Sequence, residues 1–194
     1  MLAYEGIKAE VLSGAFRPGE RLESRLFETR FNTSSTTVRM ALSRLAGERL
    51  IDSNALDGFH APLITEAWLY DLFVANRELL CSCVSLARAP PASPDTILKD
   101  EDIVAGTEEL FADIANATGN LELAALISSL NDRLRYIQRV ESPVLPNRRM
   151  ELQALWGDWQ RGAAASLLER LHLYHQARID HLRDIVAAVT RAKR

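Results

Sequence analysis

Residues 18–51, PGERLESRLFETRFNTSSTTVRMALSRLAGERLI, decide how the first third of this chain is read. Pro18-Gly19 marks a turn, because proline presets one φ and glycine tolerates a positive one. Beyond it, Leu22, Leu26 and Phe27 fall on one face of a short helix expected from about Glu23 to Phe31. The next residues, Asn32 to Thr37, are all small and polar. Such a stretch makes a turn and then a cap, since Ser and Thr side chains accept from the first free amides of a helix. A further helix is expected from about Ser35 to Glu48, burying Val38, Leu42 and Leu45. Two short helices joined by a tight turn form a helix-turn-helix candidate.

Reading outward on either side completes a module. Upstream, Leu2, Ile7, Val11 and Leu12 recur at helical spacing, and Gly14 supplies a stop, so residues 2–16 are expected to form a first helix. Downstream, DSNALDGFHAPLI (52–64) centres on Asp57-Gly58. That dipeptide suits a two-residue hairpin turn with positive φ at both central positions, so two short strands are expected around it as a wing. Residues 1–64 thus read as a winged helix-turn-helix.

From Thr65 to residue 194 the text turns to long helical patterns. Trp68, Leu69, Leu72, Phe73, Leu79 and Leu80 predict a helix to about Ala87. The three prolines between Ala89 and Asp95 require a loop. Further helices are expected over 100–117, 121–141, 149–161 and 163–193, with breaks at Gly119-Asn120, Pro143 to Pro146, and Gly162. This second domain reads as an antiparallel all-α bundle, which makes the chain mostly α with one β-hairpin.

Composition sets bounds on the partners. Apolar residues make up 47% and charged residues 25% of the 194, the balance of a globular chain able to bury a core. No apolar run approaches the length of a membrane span, and the N-terminus lacks a signal-peptide stretch, so a cytoplasmic protein is expected. The net charge of −3 speaks weakly against nucleic acid. Residues 17–49, however, carry seven arginines against four glutamates, and arginine suits phosphate and guanine edges. Cys81 and Cys83 point away from each other on a helix and read as ordinary buried thiols. We find no nucleophile motif, phosphate loop or clustered carboxylates. Glu108-Glu109 and the pair Asp180 and Asp184 read as solvated faces, so no enzyme is expected and no cofactor is implied.

The PGERL lead-in, the Val38-Arg39-x-Ala41-Leu42 core and the glycine at 58 together resemble the winged helix-turn-helix of the GntR regulators. Their pattern is PGERL, a short helix, then Ser-Arg-Thr-Pro-Val-Arg-Glu-Ala-Leu. The second domain is similar to the helical ligand-binding domain, termed FCD, of the FadR-type branch. Asn76-Arg77-Glu78-Leu79-Leu80 and Ala117-Thr118-Gly119-Asn120 carry that similarity. The resemblance implies DNA binding through Arg25, Ser34, Ser35, Thr36, Thr37, Arg39, Arg44, the wing residue Gly58 and His60. For Arg39 the plain alternative is a solvated helix arginine; for the hydroxyl residues it is N-capping alone. The chain departs from the pattern at Ser35 for arginine, Thr37 for proline and Met40 for glutamate. Ser35 cannot make the bidentate guanine contact of an arginine, so the operator sequence does not carry over.

Many FCD domains hold a divalent metal through an aspartate and three histidines. Those positions fall here on Glu108, Ala112, Leu152, and Tyr174 or His175. Alanine and leucine offer no donor, so no metal site is expected. His172 and His175, one turn apart, invite a metal reading but read more simply as polar-face residues. Arg77, Asn120, Arg133, Trp156 and His175 are the candidates for holding a small-molecule effector, such as a carboxylate, with Arg135 near them. Trp156 and Trp159, one turn apart on a shared face, read first as core or dimer packing and only then as pocket lining. The expected function is a homodimeric regulator, most often a repressor, whose grip on palindromic duplex DNA is modulated by that effector. The alternative is a ligand-binding or interaction protein whose winged helix no longer binds DNA, motivated by Ser35 and the acidic overall charge.

Overall fold

The computed structural model describes residues 2–88 and 102–192 of the chain. The proline-bearing loop expected at 89–95 lies outside the described residues. The chain divides into two compact units, Met1–Thr65 with Thr190–Arg194, and Glu66–Val189.

The first unit is a winged helix-turn-helix built from α1 (Leu2–Leu12), α2 (Ser24–Phe31), α3 (Ser35–Gly47), β1 (Asp52–Asn54) and β2 (Gly58–His60). Helix α1 stops a turn earlier than its pattern suggests, with Gly14 at φ +71° past its end. Helix α2 closes on Asn32, whose left-handed φ of 46° an asparagine tolerates. Ser34 then caps α3, its hydroxyl accepting from the Thr37 amide at 3.2 Å. Val38, Leu42 and Leu45 meet Ile7, Leu22 and Phe27 in one apolar core. Leu26, expected on that buried face, is 57% exposed instead. With Phe27 as the inward anchor of α2, its neighbour one residue back is turned about 100° away.

The wing differs from the two-residue turn expected at Asp57-Gly58. Asn54 pairs with Gly58, so three residues, 55–57, form the loop. Asn54 Oδ1 accepts from the Leu56 amide at 3.0 Å, an Asx turn that starts the reversal early. Only Gly58 takes a positive φ, +88°, while Asp57 does not. The PGERL lead-in also proves to be part of the wing. Ala61 N–H donates to Glu20 O at 2.8 Å and Leu22 N–H to Phe59 O at 2.8 Å, laying the segment along β2 like a third strand.

The second unit is all helix, from α4 (Glu66–Leu86) through α5 (Ile103–Asn116), α6 (Leu121–Val140) and α7 (Arg148–Gln160) to α8 (Ala164–Asp180) and, as far as Val189, α9 (Leu182–Arg191). Helix α4 packs on α5, α6 and α8, and α5 packs on α6 and α7. Short connections after α5 and α7 return each helix along its predecessor, as in a bundle. The single helix expected over 163–193 is two helices, broken at His181. Its ring Nδ1 lies 2.8 Å from Ala177 O, the acceptor that the backbone amide of residue 181 would use in a continuous helix. That amide bonds to Arg178 O and Ile179 O instead. The break falls at a residue that is neither glycine nor proline.

Candidate nucleic-acid interface

Helix α3 turns Val38, Ala41, Leu42 and Leu45 inward, which leaves Ser35, Thr36, Arg39, Met40 and Ser43 exposed. Arg39 is therefore open to solvent. A groove of about 360 Å³ runs between the start of α2, the start of α3 and the wing, lined by Arg25, Ser35, Arg39, Gly58 and Phe59. Its walls also carry Glu23 and Glu28. Among the described residues no carboxylate pairs with Arg25 or Arg39, whereas Arg21, Arg30 and Arg44 are each engaged. Arg21 lies 3.3 Å from Asp57, and Arg30 is bonded to Glu10.

The remaining residues singled out for DNA divide. Ser34 and Thr37 share the cap, their hydroxyls 3.0 Å apart, so neither is wholly available to a phosphate. Arg44 lies outside the groove: its Nε donates to Glu48 at 3.0 Å and its guanidinium stacks on Tyr4. Burial pushes the Glu48 carboxyl up, but hydrogen bonds from Tyr4 and Arg44 outweigh that and hold it below its ordinary value. His60 is half-buried, its Nε2 3.0 Å from an Asp57 carboxylate oxygen at the base of the wing loop.

The candidate effector residues of the bundle each have their own surroundings. Arg77 pairs with Glu78 at 2.9 Å, and Asn120 caps α6 by accepting from the Glu122 amide at 3.0 Å. Arg133 lies over the Trp68 ring, while Trp156 is core. An apolar hollow of about 340 Å³ between α7 and α8 is lined by Ala154, Leu155, Arg170, Leu173 and Tyr174, with Glu151 at its wall.

Two bundle residues depart from the surface roles expected of them. Glu108 is held in a two-pronged bond by Arg135, at 2.7 and 2.8 Å, rather than solvated, and burial pushes its carboxyl up. His175 is fully buried rather than on a polar face, because its turn of α8 packs beneath α4. Burial lowers its pKa to about 3, so the ring is neutral. Its Nδ1–H then donates to Leu171 O at 2.7 Å, leaving a bare Nε2 that lies 2.8 Å from Asn76 Oδ1, while Asn76 Nδ2 has no partner. Two acceptors cannot bond each other, so a half-turn of the Asn76 amide, which packs equally well, is needed to bring its NH2 to that nitrogen.

Sequence reasoning missed a buried ion cluster altogether. Arg178, 1% exposed, donates to Glu141 at 2.8 Å and to Tyr174 O at 2.8 Å, with its guanidinium carbon 3.4 Å from the Tyr174 ring centre. Arg148 adds a contact to Glu141 at 3.5 Å and donates to Gln138 O. Hydrophobic periodicity is blind to such residues, since it scores them as surface.

Comparison with known proteins bears on the first unit most directly. Residues 2–60 match the family model described as bacterial regulatory proteins, gntR family. The chain is 33% identical over 86 residues to the HTH-type transcriptional repressor GlaR of Escherichia coli (strain K12), covering 44% of this chain but 39% of that protein. It is 28% identical over 159 residues to the Nta operon transcriptional regulator of Aminobacter aminovorans, covering 75% and 68% of the two. In structure it is similar to E. coli McbR/YncC, with a TM-score of 0.71 at 17% identity over 94% of this chain and 96% of the other. A GntR protein of Rhodococcus sp. RHA1 aligns with a TM-score of 0.68 at 18% identity over 95% of both. The first unit is accordingly a GntR-type DNA-binding winged helix, and both units share their fold with these neighbours. Among the described residues no helix is long and apolar enough to cross a membrane.

Proposed function

We propose that a chain whose first unit is the GntR-type DNA-binding domain acts as a cytoplasmic transcriptional regulator, probing duplex DNA with the start of α3 and the wing. One observation carries this reading. Arg39 and Arg25 line a single groove beside the wing and have no carboxylate partner among the described residues, so their charge is available to phosphate and base edges. Ser35, Thr36 and Gly58 complete the contact, while Ser34, Thr37, Arg44 and His60 support it from caps and pairs.

The working form is a homodimer, whose two heads meet successive turns of a palindromic operator. Residues 65–194 form an FCD-type domain that holds a small-molecule effector, a carboxylate fitting the arginines carried there. The effector shifts the freedom of the heads and so the affinity for DNA, with repression as the output. The named repressor and operon regulator among its relatives support this.

Selection of bound sequences from random duplexes, with the full chain, tests it. An inverted repeat should emerge, with log affinity falling by about 0.9 per log unit of salt for each phosphate neutralised. The rival is an interaction protein with a disused winged helix, favoured by Ser35 and by Glu23 and Glu28 in the groove wall. No enrichment even at low salt would establish the rival.

A further inference from the structure

The outward face of α3 carries a methionine near its centre rather than an arginine. At about 100° per residue, positions 36, 40, 43 and 47 lie within about 30° of the line opposite the stripe formed by Val38, Ala41, Leu42 and Leu45. Arg39 stands about 70° to one side, toward the groove it shares with Arg25, and Arg44 about 70° to the other, where it stacks on Tyr4. The centre of the outward face is therefore Thr36, Met40, Ser43 and Gly47, which are uncharged. Met40 is 69% exposed, and a side chain added at Gly47 would meet nothing within 4 Å. The face is open and carries an apolar knob flanked by cations.

We propose that Met40 is a specificity-determining residue that reads the C5-methyl groups of thymine in the major groove, a proposal that rests on the DNA-binding reading above. Arg39, with Arg25 beyond it in the same groove, points to a polyanion as the occupant, and what an apolar centre can gain from a duplex is the one apolar group on a major-groove edge, the thymine methyl. A thioether offers no donor and only a weak acceptor. Pressed against guanine O6 and N7, or against the cytosine amine, it would leave those groups desolvated and unpaired. Against thymine it buries a methyl on both sides, and its flexible chain adapts to the position of that methyl. The Thr36 methyl, one turn earlier, extends the same surface.

The test uses the full chain and the duplex it enriches from a random pool, remade with deoxyuridine in place of each thymine in turn. Deoxyuridine keeps every hydrogen bond and removes only the methyl. At one or two positions per half-site the parent should lose about three- to fourfold in affinity for each methyl removed. Met40→Ala should bind with the same salt dependence, since no charge changes, but should no longer distinguish thymine from deoxyuridine there. Met40→Glu should move the selected base at that position toward cytosine, whose amine a carboxylate accepts from. Unchanged discrimination in Met40→Ala, or equal parental binding to both duplexes, would overturn the proposal while leaving the regulator reading intact. Failure to enrich any duplex would remove both.

Discussion

The guanidinium carbon of Arg44 lies 3.9 Å from the centre of the Tyr4 ring, and the Tyr4 hydroxyl donates to the same Glu48 carboxylate that Arg44 holds. An arginine that by position alone belongs to the DNA-reading helix is thereby tied back to α1. Arg44→Ala should lower the melting temperature of the head and leave duplex affinity far less affected than Arg39→Ala does. Thermal unfolding beside a binding titration checks this, and the reverse order of effects would place Arg44 on the DNA.

Arg39 and Arg25 should separate by kind of contact. Arg39→Ala is expected to cost about 1–3 kcal/mol on the preferred duplex and to relax selection at one base position. Arg25→Ala, at the start of α2, should weaken all duplexes alike and reduce the salt slope by about one. A titration series over salt, on preferred and scrambled duplexes, reads both at once.

The head was legible because its signals are local. Turn dipeptides, a run of hydroxyls and three apolar spacings specify α2, α3 and the wing without long-range information. Even so, the strand-like pairing of Glu20 and Leu22 with β2 was hidden, since a PGERL turn gives no hint of its partner. In the bundle the helices were legible and their polar interior was not. Asn76, His175, Arg178 and Glu141 are buried only because other helices cover them. The break at His181 falls at neither glycine nor proline, so the usual stop signals do not announce it.

Gly6 gives a test of head packing. A Cβ there would collide with the Phe31 ring, which stacks on Phe27 at 6.4 Å between centroids. Glycine inside a helix costs about 1 kcal/mol relative to alanine, so Gly6→Ala would ordinarily stabilise. Here overpacking, worth about 1–3 kcal/mol, should win and the variant should melt lower. A rise in melting temperature would mean that Phe31 gives way freely.

The Arg178–Glu141 pair should behave as a coupled unit. Arg178→Met leaves a buried carboxylate without its main partner, and a loss of about 3–5 kcal/mol is expected in urea unfolding. Adding Glu141→Leu should recover most of that loss, because an apolar pair removes the desolvated charge as well as its mate. Additive damage in the double variant would show that the two side chains do not depend on each other.

His175 makes stability depend on pH below neutrality. Its folded pKa of about 3 lies well under the ordinary 6.5, because burial disfavours the imidazolium. Below pH 6.5 the unfolded chain takes up a proton that the folded chain refuses until about pH 3. The stability held above pH 6.5 should therefore fall as the solution is acidified, by up to about 1.4 kcal/mol per pH unit from this group. Urea midpoints between pH 7 and pH 5 should decline in the parent and decline less in His175→Gln, which has no proton to gain. Parallel slopes in the two proteins would mean that the ring already carries its charge inside the bundle, contrary to the neutral pairing with Asn76.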